Sequence, residues 1–381
     1  MKKTVSAFFA IIFVLVFATV AFAEDVIKIG AIFSVTGPAS FLGEPEKNTA
    51  KMIEEMVNAK GGVLGKKLKV IIYDDETNVN KAVLAARKLI RKDKVVAVIG
   101  PSTSGNTLAL VPIFERAKIP LVSCAAAEKI VKPVKKWIFK TPQSDRHAAT
   151  RILQDAKKRG IKKIAIITVS NGFGQAGRAV LKELIPKMGF ELVADEVYGP
   201  KDTDMTAQLI KIKNSGAQAI ICWGTNPGPA VIARNRVQLG MTNILLYMSH
   251  GVASKKFIEL AGDAAEGILL PADRLIVAEQ IPASHPQKAL LMKYKNLYET
   301  KFHQPVSTFG GHAWDALMLV IKAIKMGGSA EPAAIRANLE KIKGFVGTGG
   351  IFNYSPEDHN GLDETAFEMV QIRNGDWHIV K

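Results

Sequence analysis

Cysteine is scarce: Cys124 and Cys222 are the only two in 381 residues. That excludes a disulfide-stapled scaffold, and two thiols are too few ligands for a zinc site. Both lie in apolar surroundings, "PLVSCAAA" and "AIICWG", so buried free thiols are expected rather than a bridge. Acidic residues are fewer than basic ones, 35 against 51, giving a formal net charge of +16. Aromatics make up only 7% of the chain, and no basic stripe is interleaved with them. A nucleic-acid groove is therefore not expected. The lysines come in short scattered groups such as "GKKLK" and "DAKKRGIKK". They read as solvated helix faces and loops whose summed field favours an anionic ligand. Beyond the N-terminal run, no stretch is long and apolar enough to span a bilayer.

That N-terminal run, "MKKTVSAFFAIIFVLVFATVAFAED", has a basic start, an apolar middle and the small-residue site Ala21-Phe22-Ala23. It reads as a secretory signal cleaved after Ala23. No cysteine stands at the cleavage point, so a soluble periplasmic protein is expected. The rest of the chain is long enough for two domains.

Strand and helix patterns alternate. "VIKIGAIFS", "KLKVIIYDDE", "VVAVIG" and "IPLVSC" are apolar strands separated by amphipathic helices. The pattern restarts at "DRHAATRILQDAKKRG" and runs through "KKIAIITVS", "FELVADEVY", "QAIICWG" and "NILLYMS". Regular β-α alternation of this kind predicts two parallel sheets, each covered on both faces, with a join near "FKTPQSD". After "EGILLPADRL" come longer helices, then a hairpin region at "TGGIFNYSPEDHNG" and two strands joined at Asn374-Gly375, a strong turn signal.

Ligands of open parallel sheets sit beyond the carboxyl ends of the strands. The loops there are "SVTGPASFLGE", "GPSTSGN", "CAAAE", "SNGFGQAG", "WGTNPGP" and "SHGVAS". They are rich in Gly, hydroxyls and amides and poor in acids. Ser102, Thr103 and Ser104 precede a helix, whose free N–H groups and dipole favour an anion.

Taken in order, "IKIGAIFSVTGPASFLGE", "VNAKGGVLGKKLKVIIYDDE", "VVAVIGPSTSG", "IPLVSCAAAE", "NGFGQAG" and "AGDAAEGILL" resemble the leucine-binding family. These are type I periplasmic solute-binding proteins of ABC importers. The resemblance covers nearly all of the mature chain. It implies an α/β fold of two doubly wound parallel-sheet lobes joined by a three-strand hinge. Lobe one would comprise residues 24–143 plus 271–352, and lobe two 144–270 plus 353–381. It also implies a monomer that captures a small carboxylate-bearing ligand, hands it to a membrane ABC permease and needs no metal or cofactor.

Site residues follow from the resemblance. Ser104 stands at the family serine that meets the ligand carboxylate, with Ser102 and Thr103 beside it. In the loop Ala125, Ala126 and Ala127, the Ala126 backbone contributes, and Ala127 replaces a usual threonine. Phe41 and Leu42 fall on the lobe-one pocket wall. Phe173 stands where tyrosine is frequent, Asn226 near another such tyrosine, with Trp223 close by, and Phe309 reaches in from a crossover. His250 departs most, because amino-acid binders commonly carry an acid there for the ligand ammonium. A neutral imidazole supplies no negative charge. Two ligand classes stay open: an aromatic or aliphatic carboxylic acid without an ammonium, and an ordinary branched-chain amino acid.

Three other functions are less well matched by the sequence. A ligand-sensing receptor subunit shares the fold, but it would carry a further membrane or signalling segment. A serine hydrolase through Ser104 and His250 lacks an evident orienting acid. "GFGQAG" spaces its glycines like a dinucleotide loop but lacks the acidic residue that should follow.

Overall fold

The computed structural model describes residues 26–380; the expected signal segment lies outside them. Five parallel strands form the first sheet: β1 Val26–Phe33, β2 Lys67–Asp74, β3 Ala97–Ile99, β4 Leu121–Ser123 and β5 Ile138–Lys140. Their spatial order is β2-β1-β3-β4-β5. Helices α1 Ser40–Asn58, α2 Val79–Lys88 and α3 Ser104–Ala117 connect the first four. β1 is buried from Ile29 to Phe33, as its continuous apolar run requires of a strand covered on both faces. The Asn78 side chain starts α2 by accepting the N–H groups of Asn80 and Lys81, a standard N-cap.

Helix α4, Asp145–Lys158, opens the second lobe. Strands β6 Lys163–Val169, β7 Glu191–Tyr198, β8 Ala219–Trp223, β9 Leu245–Met248 and β10 Leu269–Ala272 alternate with α5 Gly172–Lys187, α6 Thr206–Asn214, α7 Gly228–Gln238 and α8 Lys255–Ala261. The chain then crosses back. Helix α9 Lys288–Phe302 and helix α10 Thr308–Gly327 pack on α1, and α11 Pro332–Leu339 packs on α10. Nearly every side chain of α10 up to Ile324 is buried, as expected of a helix that is apolar all round. A short hairpin follows, β11 Phe345–Val346 with β12 Ile351–Phe352. A third crossing returns the chain to lobe two, where β13 Glu368–Arg373 adds antiparallel to β10 and β14 Asp376–Ile379 adds antiparallel to β13. The order there is β14-β13-β10-β9-β8-β6-β7. The turn between β13 and β14 uses Asn374 and Gly375, both at positive φ, as a two-residue hairpin of the primed type demands.

The three crossings are laced together. The Thr141 hydroxyl donates to the His312 carbonyl at 3.0 Å, the Asn360 amide ties the third crossing to the first through the Pro142 carbonyl at 2.9 Å, and the Arg274 guanidinium ties the second to the third through the Thr365 carbonyl at 2.9 Å. The buried Asp315 carboxylate accepts from the N–H groups of Thr348 and Gly349, both at 2.7 Å, and from the Thr348 hydroxyl at 3.0 Å. These bonds tie the crossing segments to one another and to α10.

The glycines of "GFGQAG" have a packing reason. A Cβ on Gly174 would lie 1.8 Å from the Val169 carbonyl oxygen, and one on Gly177 2.1 Å from Trp223 Nε1. They let α5 sit directly on β6 and β8.

Candidate interlobe binding site

A cavity of about 270 Å³ lies between the lobes at the carboxyl ends of the strands. Lobe one supplies Leu42, Thr77, Val79, the run from Ser102 to Asn106, and Cys124 to Ala126. Lobe two supplies Asn171 to Phe173, Thr225, His250 and Gly251, while Pro142, Phe309 and His312 come from the hinge side. The walls are thus built by the loops after β2, β3, β4, β6, β8 and β9, as the strand-end rule requires.

Two helix N-termini meet here. α3 begins at Ser104 and α5 at Gly172, and a Cβ on Gly172 would stand 3.0 Å from the Gly105 Cα. Both positive dipole ends therefore reach one cavity. The loop after β4 is held at alternate residues. The Ala125 N–H donates to Ser123 Oγ at 3.0 Å and the Ala127 N–H to Ser104 Oγ at 3.2 Å. Between them, the Ala126 N–H takes no acceptor among the described residues. Ser104 Oγ accepts from Ala127, which leaves its own hydrogen free to donate. Ser102 differs: it accepts from the Ser34 N–H at 2.9 Å and donates to Glu46, so its hydroxyl is occupied within lobe one.

Not every residue singled out from sequence lines the cavity. Leu42, Ser102, Thr103, Ser104, Ala125, Ala126, Phe173, His250 and Phe309 do. Phe41 stands behind Phe309, edge-on at 5.6 Å between ring centroids. Trp223 is fully buried behind Phe173 and His250, with centroids at 6.0 and 5.7 Å. Ala127 is buried beneath Ser104, and Asn226 is buried beside Thr225, which faces the cavity in its place. Thr77, Val79, Asn106, Pro142, Asn171, Thr225 and His312 also line the cavity, although the sequence did not single them out. Thr77 and Val79 follow β2, so the strand-end rule applied to that strand would have found them. His312 sits inside α10, with no loop signal to mark it.

His250 is edge-on to Phe173 and Trp223 and tilted against Phe367. Neither of its ring nitrogens has a hydrogen-bond partner within the protein. Burial holds its pKa well below the usual histidine range, and Lys140, His312 and His147 add to the effect. Burial, then Lys140, push His312 down to about 3. Both rings are therefore neutral near pH 7. Both groups have folded pKa values depressed below the ordinary value, so the stability they carry is present above the histidine range and lost as pH falls below it. The double variant H250Q/H312Q is expected to lose less stability than the parent between pH 6.5 and about 4, read as the change in melting temperature. Parallel curves would contradict this placement of the rings. None of the lining residues is Asp, Glu, Lys or Arg. Ser104 makes no hydrogen bond to either imidazole, so no nucleophile–base pair is assembled. Cys124 and Cys222 are buried and free. Among the described residues, no cluster of three or more His, Cys, Asp or Glu is placed to hold a metal ion.

Replacing Ser104 by alanine is expected to weaken binding of a carboxylate ligand by about 1–3 kcal/mol, measured by calorimetric titration. An unchanged dissociation constant would remove Ser104 from the site.

Two α/β lobes, three hinge segments and a cavity between strand ends define a two-lobed solute-binding protein. The sequence matches the periplasmic binding protein family model over residues 26–376. The chain belongs to that family, in its leucine-binding, type I branch, and it is a binding protein rather than an enzyme. It is 28% identical to the leucine-, isoleucine-, valine-, threonine- and alanine-binding protein of Pseudomonas aeruginosa, over 97% of each chain. An extracellular ligand-binding receptor from Rhodopseudomonas palustris is similar at 32% identity and a TM-score of 0.87, covering 93% of this chain and 99% of that one. The branched-chain amino acid transporter substrate-binding protein of Streptococcus pneumoniae, solved with isoleucine, is similar at 26% identity and a TM-score of 0.82, covering 94% and 100%.

Proposed function

We propose that the chain captures a small aromatic or branched aliphatic carboxylic acid without an α-ammonium and delivers it to a membrane ABC permease. One observation carries this reading: the cavity joins two helix N-termini and has no acidic lining residue. An anion is favoured at helix N-termini. An ammonium placed here would be buried without a counter-charge, which is costly. Leu42, Phe173 and Phe309 offer apolar contact for the rest of the ligand. The ligand docks on lobe one through Ser104 and the Ala126 N–H, and lobe two closes by hinge motion about the three crossings. The carrier acts as a monomer in the periplasm after cleavage behind Ala23.

A second reading rests on the relatives, whose names give branched-chain amino acids as ligands. A thermal-shift screen separates the two. Ligand at 100 times its dissociation constant adds about 2.7 kcal/mol of stability. Benzoate, phenylacetate and 4-methylpentanoate are expected to raise the melting temperature, and leucine, isoleucine and valine to leave it unchanged. The reverse pattern would establish the amino-acid reading.

A further inference from the structure

Lys140 is a fully buried lysine at the end of β5, where the first crossing begins. Its ammonium donates to the Ala126 carbonyl oxygen at 2.8 Å and to Ser144 Oγ at 3.1 Å. Both acceptors are neutral. The Ala126 carbonyl and the Ala127 N–H belong to one peptide group. That N–H donates to Ser104 Oγ at 3.2 Å, and Ser104 faces the cavity. The donors run in one direction, ammonium to carbonyl and amide N–H to hydroxyl, which leaves the Ser104 hydroxyl hydrogen for an acceptor in the cavity. Hydrogen bonds arranged head to tail polarise one another.

We propose that Lys140 is a positioning and specificity-determining residue, whose charge reaches the ligand through the Ala126–Ala127 peptide and the Ser104 hydroxyl and makes the cleft select ligands for negative charge. The proposal rests on the reading above only in requiring a carboxylate at Ser104, which both ligand classes carry.

Burial pushes the Lys140 pKa down to about 7, so its ammonium form prevails below neutral pH; Asp145, the first residue of α4, opposes this most, with Glu128 and Asp358 further contributors and Lys132 acting with burial. Asp145 accepts the Glu128 N–H at 3.3 Å through one oxygen; burial raises its pKa and the Trp223 indole lowers it. Neither hydrogen bond from the ammonium ends on a carboxylate. Lys140 also disfavours a positive charge on His250 and His312, both of which line the cavity. Its field therefore reaches the space the ligand would fill. Ser144 Oγ passes the arrangement on to the third crossing, donating to Asn360 Oδ1 at 2.8 Å.

The test compares acids with their amides, which match in shape and differ in charge. Calorimetric titrations use 4-methylpentanoate against 4-methylpentanamide and leucine against leucinamide. They are run on the parent, K140R and K140M/D145N, the last removing both buried charges so that neither is left alone. The parent is expected to prefer the acid of at least one pair by about 100-fold or more. In K140M/D145N that ratio should drop at least about tenfold while amide binding changes little, and K140R should retain most of it. Adding Ser104→Ala should cost less in K140M/D145N than in the parent, because the relay is already broken. Equal loss of acid and amide affinity would make Lys140 a structural residue and overturn the proposal. So would an unchanged ratio, or a parent with no preference for acid over amide. If only the leucine pair responds, the ligand-class reading fails while the role of Lys140 stands.

Discussion

Replacing His250 by aspartate is expected to exchange one ligand class for the other. The ring stands among Phe173, Trp223 and Phe367 at centroid distances of 5.4, 5.7 and 5.5 Å, and it faces the cavity. Aspartate there would place a carboxylate in a space that now has none. With an anionic ligand in the cleft, two like charges would share one cavity. Affinity for 4-methylpentanoate is therefore expected to fall by at least about tenfold, since even 1.4 kcal/mol of repulsion gives that factor. An amino acid would instead supply the missing cation, and leucine should gain affinity by a similar or larger factor. Paired calorimetric titrations of parent and H250D with both ligands measure the exchange. If H250D keeps the parent's ligand preference, position 250 does not face the carbon next to the carboxylate, and the reading of the cleft falls with it.

Gly172→Val should hold the cleft open. The ends of α3 and α5 come from different lobes, and a single Cβ on Gly172 already falls 3.0 Å from the Gly105 Cα. Valine adds two methyl groups beyond that. The start of α5 cannot retreat, because Gly174 is pressed against the Val169 carbonyl of its own sheet. Closure must then stop short. A ligand bound by the closed form loses apparent affinity in proportion to the population of that form. A closure penalty of about 2.7 kcal/mol corresponds to about 100-fold weaker binding. Small-angle scattering should show that ligand contracts the parent and leaves G172V expanded. Normal affinity and normal contraction in G172V would mean that this contact is not part of closure.

Much of the fold was legible in the sequence because its strands are apolar runs and its helices are amphipathic at regular spacing. The hairpin of β13 and β14 followed from Asn374-Gly375. β5 was not anticipated: it is three residues long, follows a lysine-rich stretch, and no long helix separates it from β4. Its recognition depends on pairing with β4 across the sheet, which local pattern does not encode. That omission also concealed Lys140, whose importance lies in a hydrogen bond to Ala126 from 14 residues away.

The binding loops were legible through the strand-end rule, but the orientation of individual side chains was not. Phe41 and Trp223 carry the bulk expected of a pocket wall, yet they pack one layer behind it, supporting Phe309 and Phe173. Thr225 rather than Asn226 faces the cavity. Ser102 looks equivalent to Ser104 in the motif, but Ser34 and Glu46 occupy its hydroxyl from strand and helix positions distant in sequence. Such differences arise from tertiary hydrogen bonds, and no spacing within "GPSTSGN" distinguishes the two serines.

The most direct test is a calorimetric comparison of leucine with 4-methylpentanoate on the mature protein at neutral pH. The two ligands share a carboxylate and a branched side chain and differ in the α-ammonium alone. A cleft with two helix N-termini, neutral imidazoles and no acidic lining should bind 4-methylpentanoate more tightly, by at least about tenfold if the ammonium is buried unpaired. Tighter binding of leucine would contradict the account and show that the ammonium finds a partner in the cleft.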